Sequence, residues 1–330
     1  MRPGDWSSDV CSSDLKNKHK IITFAALMTV ATIVIHFINR TIAAAAQLKQ
    51  LLGITHSKYF EWRFGNIYYT KKGDGKPILL IHDTLPGASG YEWSEIEEKL
   101  AEDHTVYTVD LLGCGRSDKP GITYTNFVYV QMICDFIRKI IGQKTDIIAS
   151  GFSSSFVIMA CHNEKELFNK IMLVNPPSPD CLRQMPTRRD HLLKLALEIP
   201  VFGTLIYHMI VSKENVANLF VEKMYYNPFH VNTQMEDAYY EASHSGGCYA
   251  KYFYSSMISK YMNINISHAV KSLDNSIYIV EGESEPNGKS IMNEYLTDNP
   301  AIETAIINES KHIPQIENPE EFLEQILIFF

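Results

Sequence analysis

Short, wholly apolar runs alternate with longer stretches of helical periodicity along most of the chain. Ile78–His82, Thr105–Asp110, Thr145–Ser150, Lys170–Asn175, Ser276–Glu281 and Ile302–Ile307 are five or six residues long and rich in Ile, Val and Leu. Runs of that kind, without in–out alternation, are strands buried on both faces. Between and after them, Trp93–Glu102, Asn126–Ile141, Ser154–His162, a segment near Ile291 and Pro319–Phe330 carry apolar residues at helical spacing. Ahead of the series, Tyr59–Lys71 reads as two β-rich runs around Gly65-Asn66, which predicts a hairpin. Together these elements predict an α/β fold: a mostly parallel sheet with helices on both faces.

One connection breaks the rhythm. The stretch between Asn175 and Ser276 is too long for a loop and reads as helices over Arg188–Glu198, Leu205–Met224, Gln234–Ser243 and Tyr249–Tyr261, rich in Tyr, Met and Phe. It predicts a cap insertion, about 177–270, laid over the carboxyl ends of the strands, where open α/β sheets bind ligands. A plain helical insertion with its own small core is the other reading of the same pattern.

The N-terminus has a different character. Residues 1–15, M-R-P-G-D-W-S-S-D-V-C-S-S-D-L, resemble the translation of a sequencing-library adapter and are set apart from fold reasoning as a non-native stretch. Residues 16–46 follow as an anchor or signal segment. Lys16, Lys18 and Lys20 precede Ile21–Ile38, which holds no Asp, Glu, Lys or Arg. Eighteen residues of helix reach about 27 Å, close to a bilayer's hydrocarbon thickness. Lysines on that flank predict a single-pass membrane anchor through residues 21–38, with the N-terminus cytoplasmic and the domain 47–330 outside. A signal peptide cut around Ala43–Ala46, giving a secreted protein, and an apolar helix packed on the domain are the alternatives.

Composition narrows the function class. The chain has 330 residues and a formal charge of −8, with no basic, aromatic-interleaved stripe, so nucleic acid is not an expected partner. There is no G-x-G-x-x-G, P-loop or paired C-x-x-C, and the cysteines are scattered, so neither a nucleotide, a metal nor an organic cofactor is expected.

Three stretches carry candidate chemistry. Ser150-Gly-Phe-Ser-Ser-Ser-Phe156 lies between a strand and a helix, the context of the G-x-S-x-G nucleophile elbow, although a serine-rich helix cap would read the same. Val280-Glu-Gly-Glu-Ser-Glu285-Pro286 is a carboxylate cluster at a strand end. Lys311-His312-Ile-Pro314 puts a histidine in the loop after the last strand, a suitable place for a general base. The order serine, acid, histidine is that of a hydrolase triad on this architecture.

With these motifs the chain resembles the α/β-hydrolase family over roughly Tyr59–Phe330. H-I-P-Q-I-E-N-P-E-E-F is similar to the family's H-x-P-x-x-E-x-P-x-x-F ending. Asp110-Leu-Leu-Gly-Cys-Gly-Arg-Ser-Asp-Lys-Pro120 resembles its D-x-x-G-x-G-x-S-D-x-P loop, and Ile81-His82 its H-G oxyanion loop. The resemblance implies a serine-type ester or other acyl hydrolase acting on a small molecule through an acyl-enzyme. Ser153 would be the nucleophile, His312 the base and Glu285 the orienting acid. The N–H groups of Ser154 and Thr84 would form the oxyanion hole, with His82, Asp83 and Phe152 lining the substrate site. Relatives with an Asp nucleophile, the dehalogenases and epoxide hydrolases, would need that Asp where Ser153 stands. Three positions depart from the pattern: Asp83 for the oxyanion-loop glycine, Ser155 for the elbow's second glycine, and Glu285 for the usual Asp. Asp83 puts a carboxylate where oxyanion charge must be stabilised. It therefore supports a competing expectation, a membrane-anchored hydrolase shell that binds a small ligand without catalysis.

Overall fold

A computed structural model describes residues 7–53 and 58–330; the opening of the adapter-like stretch lies outside them. Eight strands form one sheet: β1 Lys58–Trp62, β2 Gly65–Lys72, β3 Lys76–Ile81, β4 His104–Val109, β5 Thr145–Ser150, β6 Phe168–Val174, β7 Ile277–Gly282 and β8 Glu303–Ile307. Their order across the sheet is β1-β2-β4-β3-β5-β6-β7-β8. β1 and β2 pair antiparallel, as do β2 and β4, while every other pair is parallel.

The apolar runs are strands because both of their faces are covered. Leu79, Ile81, Ile147, Ala149, Ile171 and Leu173 face one core, shared with Phe156, Met292 and Tyr295 from the helices Ser153–Asn163 and Gly288–Asp298. Their alternating neighbours Ile78, Leu80, Ile148, Met172 and Val174 face a second core, closed by Ile96 and Leu100 of Ser94–Leu100 and by Phe322, Ile326 and Phe329 of Pro319–Phe329.

Two details differ from the sequence expectation. The hairpin turns at Arg63-Phe64, and Gly65 already belongs to β2, paired with Trp62. A Cβ on Gly65, whose φ is +148°, would meet that of Asp118 at 2.7 Å, so packing against the Asp118 loop explains this glycine. The expected helix Leu205–Met224 is two, Phe202–Ile210 and Lys213–Leu219, because Ser212 caps the second by accepting from the Asn215 N–H.

Between β6 and β7 the insertion also includes Arg188–Glu198, Thr233–His244 and Ala250–Ile258. Tyr207, Val211 and Ala250 form a small cluster within it, and another part packs on the main domain. Val216, Phe220, Met235 and Tyr239 pack with Ala88, which follows β3, and Ile313, which follows β8. The N-terminal helix Ser7–Ala46 leaves Ile21, Phe24, Leu27, Val30, Val34 and Phe37 exposed, whereas Asn39 and Ala46 are buried against the domain. Packing of the whole apolar stretch on the domain, one sequence alternative, is therefore not what is found. Among the described residues this is the one single helix long and apolar enough to cross a bilayer.

Candidate active site

All the candidate residues lie at the carboxyl edge of the parallel strands, and the elbow after β5 sets the geometry. β5 ends at Ser150, Gly151 turns the chain at φ +53°, and the next helix begins at Ser153. In a nucleophile elbow the reactive residue is the one on the strained turn, and the residue after it supplies an oxyanion-hole N–H. By that geometry the elbow is Ala149-Ser150-Gly151-Phe152-Ser153, two residues earlier than the sequence register, and a glycine stands in the nucleophile's place. It is glycine for two reasons. Its φ is left-handed, and a Cβ there would overlap Cγ and both carboxylate oxygens of Asp83.

The Asp83 carboxylate fills that space. Its Oδ1 accepts the Thr84 N–H at 2.6 Å and the Phe152 N–H at 2.7 Å. Its Oδ2 lies 3.1 Å from Nε2 of His312, whose Nδ1 is 3.2 Å from Oε1 of Glu285. The side chain that broke the family pattern therefore occupies the hole its neighbours form, with its second oxygen on the histidine.

Protonation follows from these partners. Burial alone would lower the His312 pKa, but hydrogen bonds and charge from Asp83 and Glu285 prevail and hold it well above the ordinary 6.5. Burial would raise the Asp83 pKa, and the His312 contact with the two backbone N–H groups brings it below its usual 3.8. At neutral pH Asp83 is therefore a carboxylate and His312 an imidazolium.

The serines differ from expectation. Ser153 is fully buried and its Oγ donates to the His82 carbonyl at 2.6 Å, away from His312. The Ser154 N–H donates to the Gly151 carbonyl at 3.1 Å inside the turn, and it is the Phe152 N–H that joins that of Thr84 on Asp83. Ser155 Oγ donates to the Phe152 carbonyl at 2.9 Å and accepts from Asn126 Nδ2 at 3.1 Å. His82 is fully buried too: its Nδ1 meets the Asp83 carbonyl and its Nε2 accepts the Leu111 N–H at 3.0 Å. Both ring nitrogens thus brace the loop backbone.

Two supporting residues carry no sequence motif. Glu92 is fully buried; Oε2 accepts the Asp83 N–H at 3.1 Å and Oε1 accepts from Gln315 Nε2 at 2.8 Å. Burial first, and the charge of Asp83 second, push its pKa up to about 7. Asn175, at φ +45°, donates to the carbonyls of Lys311 and His312 and accepts the Gly282 N–H, tying the ends of β6 and β7 to the histidine loop. An Asn directly after a buried strand, before a Pro-Pro pair, was the available signal.

A model of the alpha/beta hydrolase family matches residues 78–325. The chain belongs to the α/β-hydrolase family. Among curated relatives, 2-hydroxy-6-oxo-6-(2'-aminophenyl)hexa-2,4-dienoic acid hydrolase of Metapseudomonas resinovorans is 30% identical over 108 residues, 32% of this chain and 37% of that protein. A soluble epoxide hydrolase of a Corynebacterium is 24% identical over 109 residues, 33% of this chain and 37% of its own length. The chain thus spans about a third of the length of such relatives. Among solved structures, a serine hydrolase involved in carbazole degradation matches with TM-score 0.69 and 18% identity over 83% of this chain and 97% of that one. A membrane phospholipase A, a bacterial virulence factor, matches with TM-score 0.64 and 16% identity over 94% of this chain and 97% of the other. At such identities the likeness is one of fold.

Proposed function

We propose that this α/β-hydrolase-family chain is a membrane-anchored ligand-binding protein whose site is closed to serine acyl transfer. The observation that carries this reading is the Asp83 carboxylate, seated in the oxyanion hole over Gly151 and bound to His312. Acyl transfer needs a nucleophile beside a neutral imidazole and an empty hole for the developing oxyanion. Gly151 supplies no nucleophile, an imidazolium cannot take a proton, and both hole donors already serve an anion. The Ser153 hydroxyl donates to the His82 carbonyl, while both His312 nitrogens are engaged by Asp83 and Glu285. His312 acts as the counter-charge to Asp83, with Glu285 on its other nitrogen. The helices between β6 and β7 serve as the cap, closing over the Ala88 and Ile313 loops. The exposed apolar side chains from Ile21 to Phe37 support membrane insertion, since that much apolar surface is not left in water.

The test is labelling of the full chain with a fluorophosphonate probe, which reports an activated serine whatever the substrate. No labelling is expected, and a wild type labelled at any serine of this loop would overturn the reading.

A second reading has one specific observation behind it. Oδ1 of Asp83 in the hole and Oδ2 beside His312 is also how a carboxylate nucleophile would be held. Attack by Oδ2 on an sp³ carbon of an epoxide would break the ring C–O bond and form an Asp83 ester, the His312 imidazolium giving its proton to the alkoxide oxygen. The neutral imidazole would then take a proton from water, whose hydroxide adds to the ester carbonyl and releases the diol and the Asp83 carboxylate. Mass spectrometry after incubation with styrene oxide distinguishes the two: an adduct on Asp83 favours this chemistry, and none favours the closed site.

A further inference from the structure

The helix Arg188–Glu198 of the insertion is built inside out. Leu192, Leu195, Ala196 and the C-cap Ile199 stand at the i, i+3, i+4, i+7 spacing that a helix of a soluble domain buries, yet all four are exposed. Leu192 is 65% exposed, as much as Phe37 in the N-terminal apolar run at 63%. The inner side carries charge instead. Lys194 is buried and donates to the Glu198 carboxylate, which also accepts from the Ser255 hydroxyl on the helix Ala250–Ile258. The remaining acid, Asp190, closes a capping box with Thr187. A helix that hides an ion pair and shows its leucines gains nothing in water from its apolar stripe.

The placement of this helix against the N-terminal one decides what covers the stripe. After Ile199 and Pro200 the chain bends by 102° into Phe202–Ile210. Lys251 holds the bend by donating to the Glu198 and Ile199 carbonyls at 3.1 and 2.9 Å, and Asn39 Nδ2 donates to the Val201 carbonyl at 3.0 Å. Val201 takes φ +64° there, which is costly for a β-branched residue and persists only where the surroundings fix the backbone.

From that contact Phe202–Ile210 runs beside the N-terminal helix in the same direction. Its start lies at Asn39, and His208 near its end stacks on His244 at 4.8 Å, whose carbonyl accepts from Gln47. The charge-free apolar run ends at Ile38, one residue before Asn39. With that run in the hydrocarbon, the bend lies at the bilayer surface and Phe202–Ile210 climbs away from it. Arg188–Glu198, turned by 102° from that climb, then lies across the surface. Its inner side is taken by Ala250–Ile258, which leaves the stripe facing the lipid. Arg188 and Arg189, exposed in its first turn, suit headgroup phosphates.

We propose that residues 188–200 form a second membrane contact, an interfacial helix lying at the headgroup–acyl boundary of the leaflet that the N-terminal helix enters. The proposal rests on the membrane anchorage proposed above and is independent of the state of Asp83. Two contacts fix the domain's orientation, with this edge of the insertion on the bilayer.

The experiment places the photo-crosslinker p-benzoylphenylalanine singly at Leu195 or at Gln143, in the full chain reconstituted into palmitoyl-oleoyl phosphatidylcholine vesicles. Gln143 is exposed just before β5, at the opposite edge of the sheet from the insertion. After irradiation, mass spectrometry should find phosphatidylcholine adducts at 195 at least about tenfold more often than at 143, since an interfacial helix buries its apolar face among acyl chains. Leu192→Gln with Ile199→Gln, both at exposed positions, should cut the adducts at 195 several-fold while melting as the wild type does in detergent. Adducts at 195 no more frequent than at 143, or unaffected by the two glutamines, overturn the proposal. A crosslinked dimer in place of lipid adducts also overturns it and assigns the stripe to a second copy of the chain. Carbonate washing of the vesicles reads anchorage separately. A chain that stays in the washed vesicles without lipid adducts at 195 keeps its anchor and loses this contact; one that washes off although 195 reacts with lipid keeps this contact and loses the anchor.

Discussion

Oδ2 of Asp83 lies 3.1 Å from Nε2 of His312, while its Oδ1 receives two backbone N–H groups above the Cα of Gly151. Asp83 and Gly151 depend on each other. The carboxylate occupies the volume a side chain at 151 would need, and the left-handed turn that glycine permits brings the Phe152 N–H onto the carboxylate.

That dependence predicts a non-additive pair. Gly151→Ser alone should cost about 2–4 kcal/mol, from a left-handed non-glycine residue and overlap with Asp83. Adding Asp83→Gly should recover part of the loss, giving a coupling of about 1–3 kcal/mol in a denaturation cycle. The double variant should also react with fluorophosphonate, because it places a hydroxyl on the turn beside a histidine freed from one carboxylate.

The Asp83–His312 pair predicts a pH window. His312 has a folded pKa well above 6.5, so its contribution is complete below 6.5 and is lost as pH rises through the folded value. Asp83 is shifted below 3.8, so its contribution is present above 3.8 and lost as pH falls through the folded value. The stability gap between wild type and His312→Asn should therefore be widest between 3.8 and 6.5 and close on the alkaline side, read from urea midpoints.

Glu92 acts in the opposite sense. A carboxyl raised to about 7 destabilises the fold progressively as pH climbs from its ordinary 4.5 to above 7. Glu92→Gln keeps an oxygen for the Asp83 N–H and cannot ionise. Its stability relative to wild type should improve by about 1–3 kcal/mol between pH 5 and pH 8, measured by the same denaturation.

Asn175 should be among the least replaceable residues outside the apolar cores. Asn175→Ala keeps the φ of +45° while removing three hydrogen bonds, and should cost about 2–4 kcal/mol. Asn175→Gly relieves the backbone and loses the same bonds, so it should fall between wild type and Ala. Thermal unfolding of the three proteins checks the order.

The sheet, the helical insertion and the N-terminal helix were legible in the residue pattern because each follows from local periodicity. A strand buried on both faces needs a continuous apolar run, and a helix apolar on every side announces itself by an unbroken apolar stretch. The histidine loop was legible for a similar reason, since Pro314 and Pro319 each suit a first helical position and so mark helix starts just after His312. The site chemistry was not local. Three consecutive serines after a glycine allow two registers for the elbow, and the choice depends on where β5 stops pairing with β6, which happens at Ser150 opposite Val174. The chain alone determined that position 83 carries a carboxylate. Where its oxygens lie was decided by the adjacent N–H at 84 together with an N–H at 152 and a ring at 312, the last two distant in sequence and brought to it only when β3, β5 and β8 align their ends. A carboxylate settles where donors converge, and that convergence exists only in the folded sheet.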